Sequence, residues 1–358
     1  MTAIPSAQVR LWRRGLVLFV LLSFSLAPAT FAHDSSKLVF FGDSLSDPGN
    51  YFIKFGTTSH PPFVPIPDDP YAIGGHHFSN GATWAEQLAR GLHHPASGKP
   101  ALRAPGVFTN YAVGRARARA AAPVFSAYDL STQVGLFLSD FGGHASSDDL
   151  YVVWIGANDL DDALNALAID PSGATSTGII GAAITAVAGN IQALHAAGAT
   201  AFLIPNVPNL AITPAVRALG PIAQFLATQL TDAYNGALDR TLSALEGRQI
   251  HFVRLDVNAL LDDVLAAPQA FGLTNVSDSC LTFFVVRDAI CETPNGYLFW
   301  DGVHPTTAAH HIIAKAALQL LAPPRRTHCI EDSAPSYAMG ITAAAGDDAA
   351  DDSDRGCR

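Results

Sequence analysis

The chain has 358 residues, 49% of them hydrophobic and 15% charged. That is enough for one large α/β domain or two small ones, with a sizeable core, and it excludes a chain disordered throughout. A formal net charge of −10 argues against non-specific nucleic-acid binding and against an anionic membrane surface as a partner.

Residues 1–32 read as a secretory signal peptide. Arg10, Arg13 and Arg14 precede an apolar run from Gly15 to Leu26, and small residues follow at Ala27-Pro28-Ala29 and Thr30-Phe31-Ala32. The expected location is therefore secreted or periplasmic. No later segment reads as long and apolar enough to span a bilayer, so no stable membrane span is expected after cleavage. Residues 33–325 are expected to form a single domain, and the Asp/Ala-rich residues 326–358 an acidic, disordered tail. An even number of cysteines in an exported chain suggests disulfides. Cys280 and Cys291 lie close together across an irregular stretch and are paired; Cys329 and Cys357 then tie the tail. No cysteine or histidine cluster has metal-ligand spacing, so neither a metal nor a cofactor is expected.

The first strand is Leu38 to Phe41, ending in Gly42-Asp43-Ser44. A short apolar run followed by Gly-Asp-Ser puts a serine at the C-terminal edge of a sheet, where α/β proteins place their chemistry. Gly42 is expected to permit the sharp turn. Asp47 to Pro70, rich in proline and aromatics, reads as a long loop lining an apolar substrate pocket. His76-His77 and His93-His94 read as surface histidines. Phe78-Ser79-Asn80-Gly81 leads into a helix from Trp84. Asn110 to Val113 reads as a second strand, ending in Gly114-Arg115, with Arg115, Arg117 and Arg119 as either a basic rim or solvated charge. A helix capped by Ser131 or Thr132 precedes the clearest buried strand, Leu150 to Ile155, which ends in Gly156-Ala157-Asn158-Asp159. Further strands at Thr200 to Ile204 and Gln249 to Leu255 alternate with helices. The long helical stretch from Ala215 to Glu246 is broken at Gly220-Pro221, and Asp256 is a candidate cap for the helix after the last strand. Phe271 to Asn295 reads as irregular, Trp300-Asp301-Gly302-Val303-His304-Pro305 follows, and a last helix runs from Thr306 to Leu321. Strands alternating with helices imply a parallel sheet of about five strands covered on both faces, a three-layer α/β/α sandwich.

Four stretches carry a resemblance in chain order: Gly42-Asp43-Ser44-Leu45, Asn110-Tyr111-Ala112-Val113-Gly114, Ile155-Gly156-Ala157-Asn158-Asp159 and Asp301-Gly302-Val303-His304. Together they resemble the signature blocks of the GDSL esterases and lipases, the SGNH hydrolase superfamily, from about Lys37 to about Leu321. The resemblance implies a flavodoxin-like SGNH fold, Ser44 as nucleophile, and Asp301 and His304 as its base pair. It also implies an oxyanion hole from the Ser44 N–H, a backbone N–H at Gly114 or Arg115, and the Asn158 amide. The family's second glycine after the Asn-Tyr-Ala block is here Arg115, where a positive φ costs energy.

The chemistry agrees with the residue types. A serine hydroxyl needs a base and a place for negative charge. A histidine three residues after an aspartate, on one turn, lets the carboxylate reach Nδ1 and fix the tautomer. The expected function is a serine esterase or lipase cleaving carboxylic esters through an acyl-enzyme, on a small-molecule or lipid ester. The alternatives are a lipid or sterol acyltransferase of the same family, or an inactive binding protein on this scaffold. Oligomeric state is not legible in the chain.

Overall fold

In the computed structural model, residues 35–120 and 128–322 are described. The expected signal peptide, acidic tail and Cys329–Cys357 pairing lie outside the described residues.

Strand β1 (Leu38–Gly42) is apolar on both faces, and both are buried. Val39 and Phe41 join one core, Leu38 and Phe40 another. Helices α1 (Asn50–Phe55), α2 (Trp84–Gly91) and α3 (Leu130–Asp140) separate β1 from β2 (Leu150–Trp154). Then come α4 (Ala157–Ala166), α5 (Ala174–Ala196), β3 (Ala201–Pro205), α6 (Pro214–Ala218), α7 (Pro221–Glu246), β4 (His251–Leu255) and α8 (Val257–Ala266). Strands β5 (Asn275–Ser279) and β6 (Tyr297–Phe299) and helix α9 (Thr307–Leu321) complete the described chain.

The main sheet is parallel in the order β1-β2-β3-β4. Its two faces bury separate cores. Phe41, Val153 and Phe202 face apolar stripes of α3, α4, α5 and α7; Phe40, Val152 and Leu203 face α2, α8 and α9. This is the three-layer sandwich expected from the strand pattern. Parallel register places the C-terminal ends of β1 and β2 side by side, with Gly42 opposite Trp154.

The structure alters several local expectations. The segment 109–113 runs along the outer edge of β1: Phe40 N–H donates to Thr109 O at 2.9 Å, and Tyr111 N–H to Phe40 O at 2.8 Å. Its pairing with β1 amounts to a single isolated bridge, between Phe40 and Asn110. Asn110 Oδ1 accepts the Ala112 N–H at 3.0 Å, a local side-chain turn that competes with a regular ladder. The sheet therefore has four strands and an irregular edge rather than five. The proline-rich stretch contains α1, and the stretch 271–295 contains β5, which pairs with β6 in a second small sheet. Asp129, not Ser131 or Thr132, caps α3 by accepting the Thr132 N–H. Asp256 caps α8 as expected, and the chain breaks at Gly220 between α6 and α7. His77 is buried and paired with Glu86 at 2.8 Å rather than lying on the surface. Contrary to expectation, α5 is long and apolar enough to cross a membrane. In the fold its Ile180, Ile184, Val187 and Ile191 pack into the core under the sheet.

Candidate active site

Ser44 lies in the turn just past β1, almost wholly buried. Gly42 serves close packing, not the turn: its φ is not in the left-handed region, and a Cβ there would meet Trp154 O at 2.5 Å. Gln133 holds this end of the strand, accepting the Gly42 N–H at 2.9 Å and donating to Gly42 O at 2.7 Å. Asp47 accepts four backbone N–H groups, from Gly49, Asn50, Tyr51 and Gly114. Asn50 Nδ2 in turn donates to the carbonyls of Asn110 and Ala112. This buried network joins the Ser44 turn to the second block, and the two side chains that hold it, Asp47 and Asn50, were given no role from the sequence. Their clustering in Ser46-Asp47-Pro48-Gly49-Asn50, polar residues directly after an apolar strand, was the available signal.

His304 and Asp301 arrive from the other end of the chain, between β6 and α9. The turn is closed by Trp300 N–H donating to His304 O at 2.7 Å. Asp301 Oδ1 accepts the N–H groups of Val303 and His304, each at 2.8 Å. Its Oδ2 lies 2.8 Å from His304 Nδ1, and His304 Nε2 lies 2.9 Å from Ser44 Oγ. A carboxylate at Nδ1 holds the proton there, leaving Nε2 to accept from the serine. The three residues expected to act together thus form one hydrogen-bonded line across 260 positions of sequence. Phe78 packs against the imidazole, ring centroids 5.3 Å apart. Ser79 Oγ donates to Pro305 O, and Asn80 Oδ1 accepts the Thr307 N–H, so the Phe-Ser-Asn-Gly segment braces the histidine turn.

Asn158 enters from the start of α4, beside β1 because β1 and β2 are neighbours. Its Nδ2 donates to Ala116 O at 2.9 Å, which orients the carboxamide. Gly114 N–H donates to Asp47 at 2.8 Å, so that donor is engaged and the expectation for a backbone oxyanion donor at this block moves to Arg115. Arg115 does adopt a positive φ, 68°. Glycine at 114 has a different cause: a Cβ there would meet the Phe78 ring at 2.1 Å. Arg117 and Arg119 form neither a basic rim nor solvated charge. Arg117 makes a two-point pair with Asp162 at 2.6 and 2.7 Å, and Arg119 reaches Asp159 and Asp162. Both clamp the second block onto the first turns of α4, next to Asn158.

Two further groups were missed. Asp43 is buried; its Oδ1 accepts the Leu45 N–H, and its Oδ2 has no hydrogen-bond partner among the described residues. Burial pushes its carboxyl up to about 7, against the Leu45 N–H and the charge of His304. Tyr71, fully buried, donates its hydroxyl to Asp301 Oδ2 at 2.8 Å.

A largely apolar cavity of about 330 Å³ opens beside Ser44, Asn158 and His304. Leu164, Leu210, Val216, Leu261 and Ile313 contribute to its walls, from α4, α6 and its preceding turn, α8 and α9. Of the proline-rich loop only Ile66 borders it, which corrects the expectation that this loop builds the pocket. The loop instead covers the Asp301–His304 turn: a Cβ on Gly302 would meet Pro65 O at 1.9 Å. Phe63 packs with Tyr71, Trp300 and the Cys280–Cys291 disulfide in a small core of its own. An open hollow of about 480 Å³ on that side is lined by Tyr71 and Phe63, not by Ser44. Among the described residues no cluster of metal-ligating side chains occurs.

A parallel α/β/α sandwich with a serine, histidine and aspartate at the strand ends beside an apolar cavity belongs to the class of carboxylic ester hydrolases. The chain is a member of the GDSL-like Lipase/Acylhydrolase family, whose pattern matches residues 38–317. It is 25% identical to Lipase 1 of Photorhabdus luminescens over 86% of this chain and 53% of the relative, so it spans about half of that protein's length. It is 26% identical to a phosphatidylcholine-sterol acyltransferase of Aeromonas hydrophila, over 79% of this chain and 89% of the relative. Among solved structures it is similar to the acetylxylan esterase Axe2 of Geobacillus stearothermophilus, at 16% identity and a TM-score of 0.42, covering 81% of this chain and 96% of that one.

Proposed function

We propose that the protein is an exported serine esterase or lipase that cleaves esters of apolar carboxylic acids through an acyl-enzyme on Ser44. The observation that carries this reading is the unbroken Ser44–His304–Asp301 line opening onto an apolar cavity. His304 takes the serine proton as Oγ attacks the carbonyl carbon and returns it to the leaving alkoxide; a water repeats the sequence to release the acid. Asp301 holds the tautomer and stabilises the imidazolium. Asn158 Nδ2 and the N–H groups of Ser44 and Arg115 receive the negative oxygen, each such donor being worth roughly 3–4 kcal/mol in the transition state. The cavity receives the acyl group, since burying each methylene there is worth about 0.8 kcal/mol.

The test is hydrolysis of p-nitrophenyl acetate, butyrate, octanoate and palmitate by the purified protein beside Ser44→Ala. Activity that is lost in the variant and peaks at an intermediate chain is the expected result. Leu164→Phe, which fills part of the cavity, moves the optimum to a shorter acyl group. Equal activity in Ser44→Ala overturns the reading. Export is checked by sequencing the mature N-terminus, which is expected after Ala29 or Ala32.

The likeness to a phosphatidylcholine-sterol acyltransferase favours one second reading. The same acyl-enzyme would then pass its acyl group to an alcohol. Transfer to an added alcohol, measured as new ester against free acid, separates the two.

A further inference from the structure

Asp301 accepts four hydrogen bonds, and one is unlike the rest. Two come from the backbone of its own turn, and one from His304. The fourth comes from Tyr71, 230 positions earlier, and it falls on Oδ2, the oxygen that also faces His304 Nδ1. Any simple turn supplies the backbone donors; the tyrosine has to be brought there.

The fold brings it with some care. Tyr71 lies within the segment that follows the proline-rich loop, its N–H donating to His77 O at 2.8 Å. Pro70 O accepts the Ser59 N–H at 2.8 Å, so both sides of the residue are bonded. The ring meets Trp300 edge-on at 5.6 Å and Phe63 at 5.6 Å. Trp300 immediately precedes Asp301. Ring and hydroxyl are fully buried, and burial together with the Asp301 charge pushes the phenol far up, so it stays a donor at every ordinary pH.

We propose that Tyr71 is a positioning residue for the base: its hydroxyl shares Asp301 Oδ2 with His304, fixing the carboxylate's rotation and sharing its negative charge. This rests on the reading of Ser44, His304 and Asp301 as the reacting line. A carboxylate held at both oxygens from three directions presents Oδ2 to Nδ1 in one orientation. Without the tyrosine, Oδ2 bonds to the imidazole alone. More of its charge then falls on the imidazolium, and the carboxylate gains freedom to rotate about its last bond. The role also explains what the proline-rich loop does in this chain, since it supplies almost nothing to the cavity beside Ser44.

The experiment is a double-mutant cycle on ester hydrolysis with Tyr71→Phe, Asp301→Asn and both together, and with Ser44→Ala alongside. Phe keeps the ring contacts with Trp300 and Phe63 and removes only the hydroxyl. The expected result is a loss of about tenfold in kcat with KM little changed for Tyr71→Phe. In the Asp301→Asn background the same change costs less than about twofold, because the hydroxyl acts through the carboxylate. The acid limb of the kcat/KM profile moves to higher pH in Tyr71→Phe. The other titratable groups that feel His304, Asp43 and His310, are untouched by the change. An equal loss in both backgrounds, or no loss in a folded Tyr71→Phe, overturns the proposal while leaving the esterase reading intact. Full activity in Ser44→Ala overturns both. If the Phe variant does not fold, proton NMR of the intact, tyrosine-labelled protein decides. A slowly exchanging Tyr71 hydroxyl proton that disappears in Asp301→Ala supports the proposal, and its absence from the intact protein overturns it.

Discussion

The two halves of the site are built by different means. Ser44 and Asn158 stand at the ends of adjacent parallel strands, and their positions follow from the sheet itself, tightened by Gln133 and Asp47. Asp301 and His304 hang from the short strand β6, outside the main sheet. They are held by a lobe made of the proline-rich loop, Tyr71, Trp300 and the Cys280–Cys291 disulfide. Cys280 N–H donates to Phe299 O, and Leu281 N–H to Trp300 O, so the disulfide lobe is stitched to the residues just before Asp301. Ser44 is thus part of the scaffold, and the Asp301–His304 turn is an attachment to it. Damage to the first half is expected to act on the chemistry, and damage to the second on how often the base is in place.

The largest effect expected is on the junction between the halves. Ser44→Ala and His304→Ala each lower kcat by at least ~1000-fold, and the double variant is little worse than either, because the residues act as a unit. Single-turnover and steady-state rates on one ester check this. Additive losses would mean that the two halves work independently.

Asn158→Ala tests the scaffold half alone. It is expected to cost ~100- to 1000-fold in kcat with KM little changed. A rise in KM alone would make Asn158 a substrate contact rather than an oxyanion donor.

Replacing both Cys280 and Cys291 with Ser tests the attached half. Closing a loop of this length restrains the unfolded chain by about 3 kcal/mol. The expected outcome is a lower Tm and a fall in kcat, from loosening the turn before Asp301. A lower Tm with kcat unchanged would show that Tyr71 and Trp300 hold the base without the disulfide.

The smallest effect is a pH dependence built into the scaffold half. The Asp43 carboxyl, pushed up to about 7 by burial, favours the folded state when protonated. Its folded value lies above its ordinary one, so its contribution is complete below about pH 4 and is lost as pH rises towards about 7. Asp47 and Asp159, pushed up by burial to about 6, carry the same sign. Asp43→Asn stays neutral throughout. The difference in Tm between the variant and the wild type should move in the variant's favour between about pH 5 and about pH 8. A constant difference would show that Asp43 is already ionised in the folded protein below that range.

Much of the scaffold half was legible in the chain because it depends on local patterns. Apolar runs ending in Gly-Asp-Ser and Gly-Ala-Asn-Asp announce buried strands with polar residues at their ends, and neighbouring parallel strands bring those ends together. The Asp301–His304 spacing is also local: one turn lets the carboxylate reach the ring. The α6/α7 break and the Asp256 cap follow from proline and capping chemistry over a few residues. What the chain alone could not show is contact at long separation. Nothing near Tyr71 says that its hydroxyl meets Asp301, nothing near Arg117 says that it meets Asp162, and the spacing of Phe78 and Gly114 does not say that one fills the space left by the other. The same limit explains the misplaced pocket. Proline and aromatic content shows that a loop packs against something, but which face it covers depends on how β6 and the disulfide lobe dock. That is decided by side chains hundreds of positions apart closing into one core, and only the tertiary structure records it.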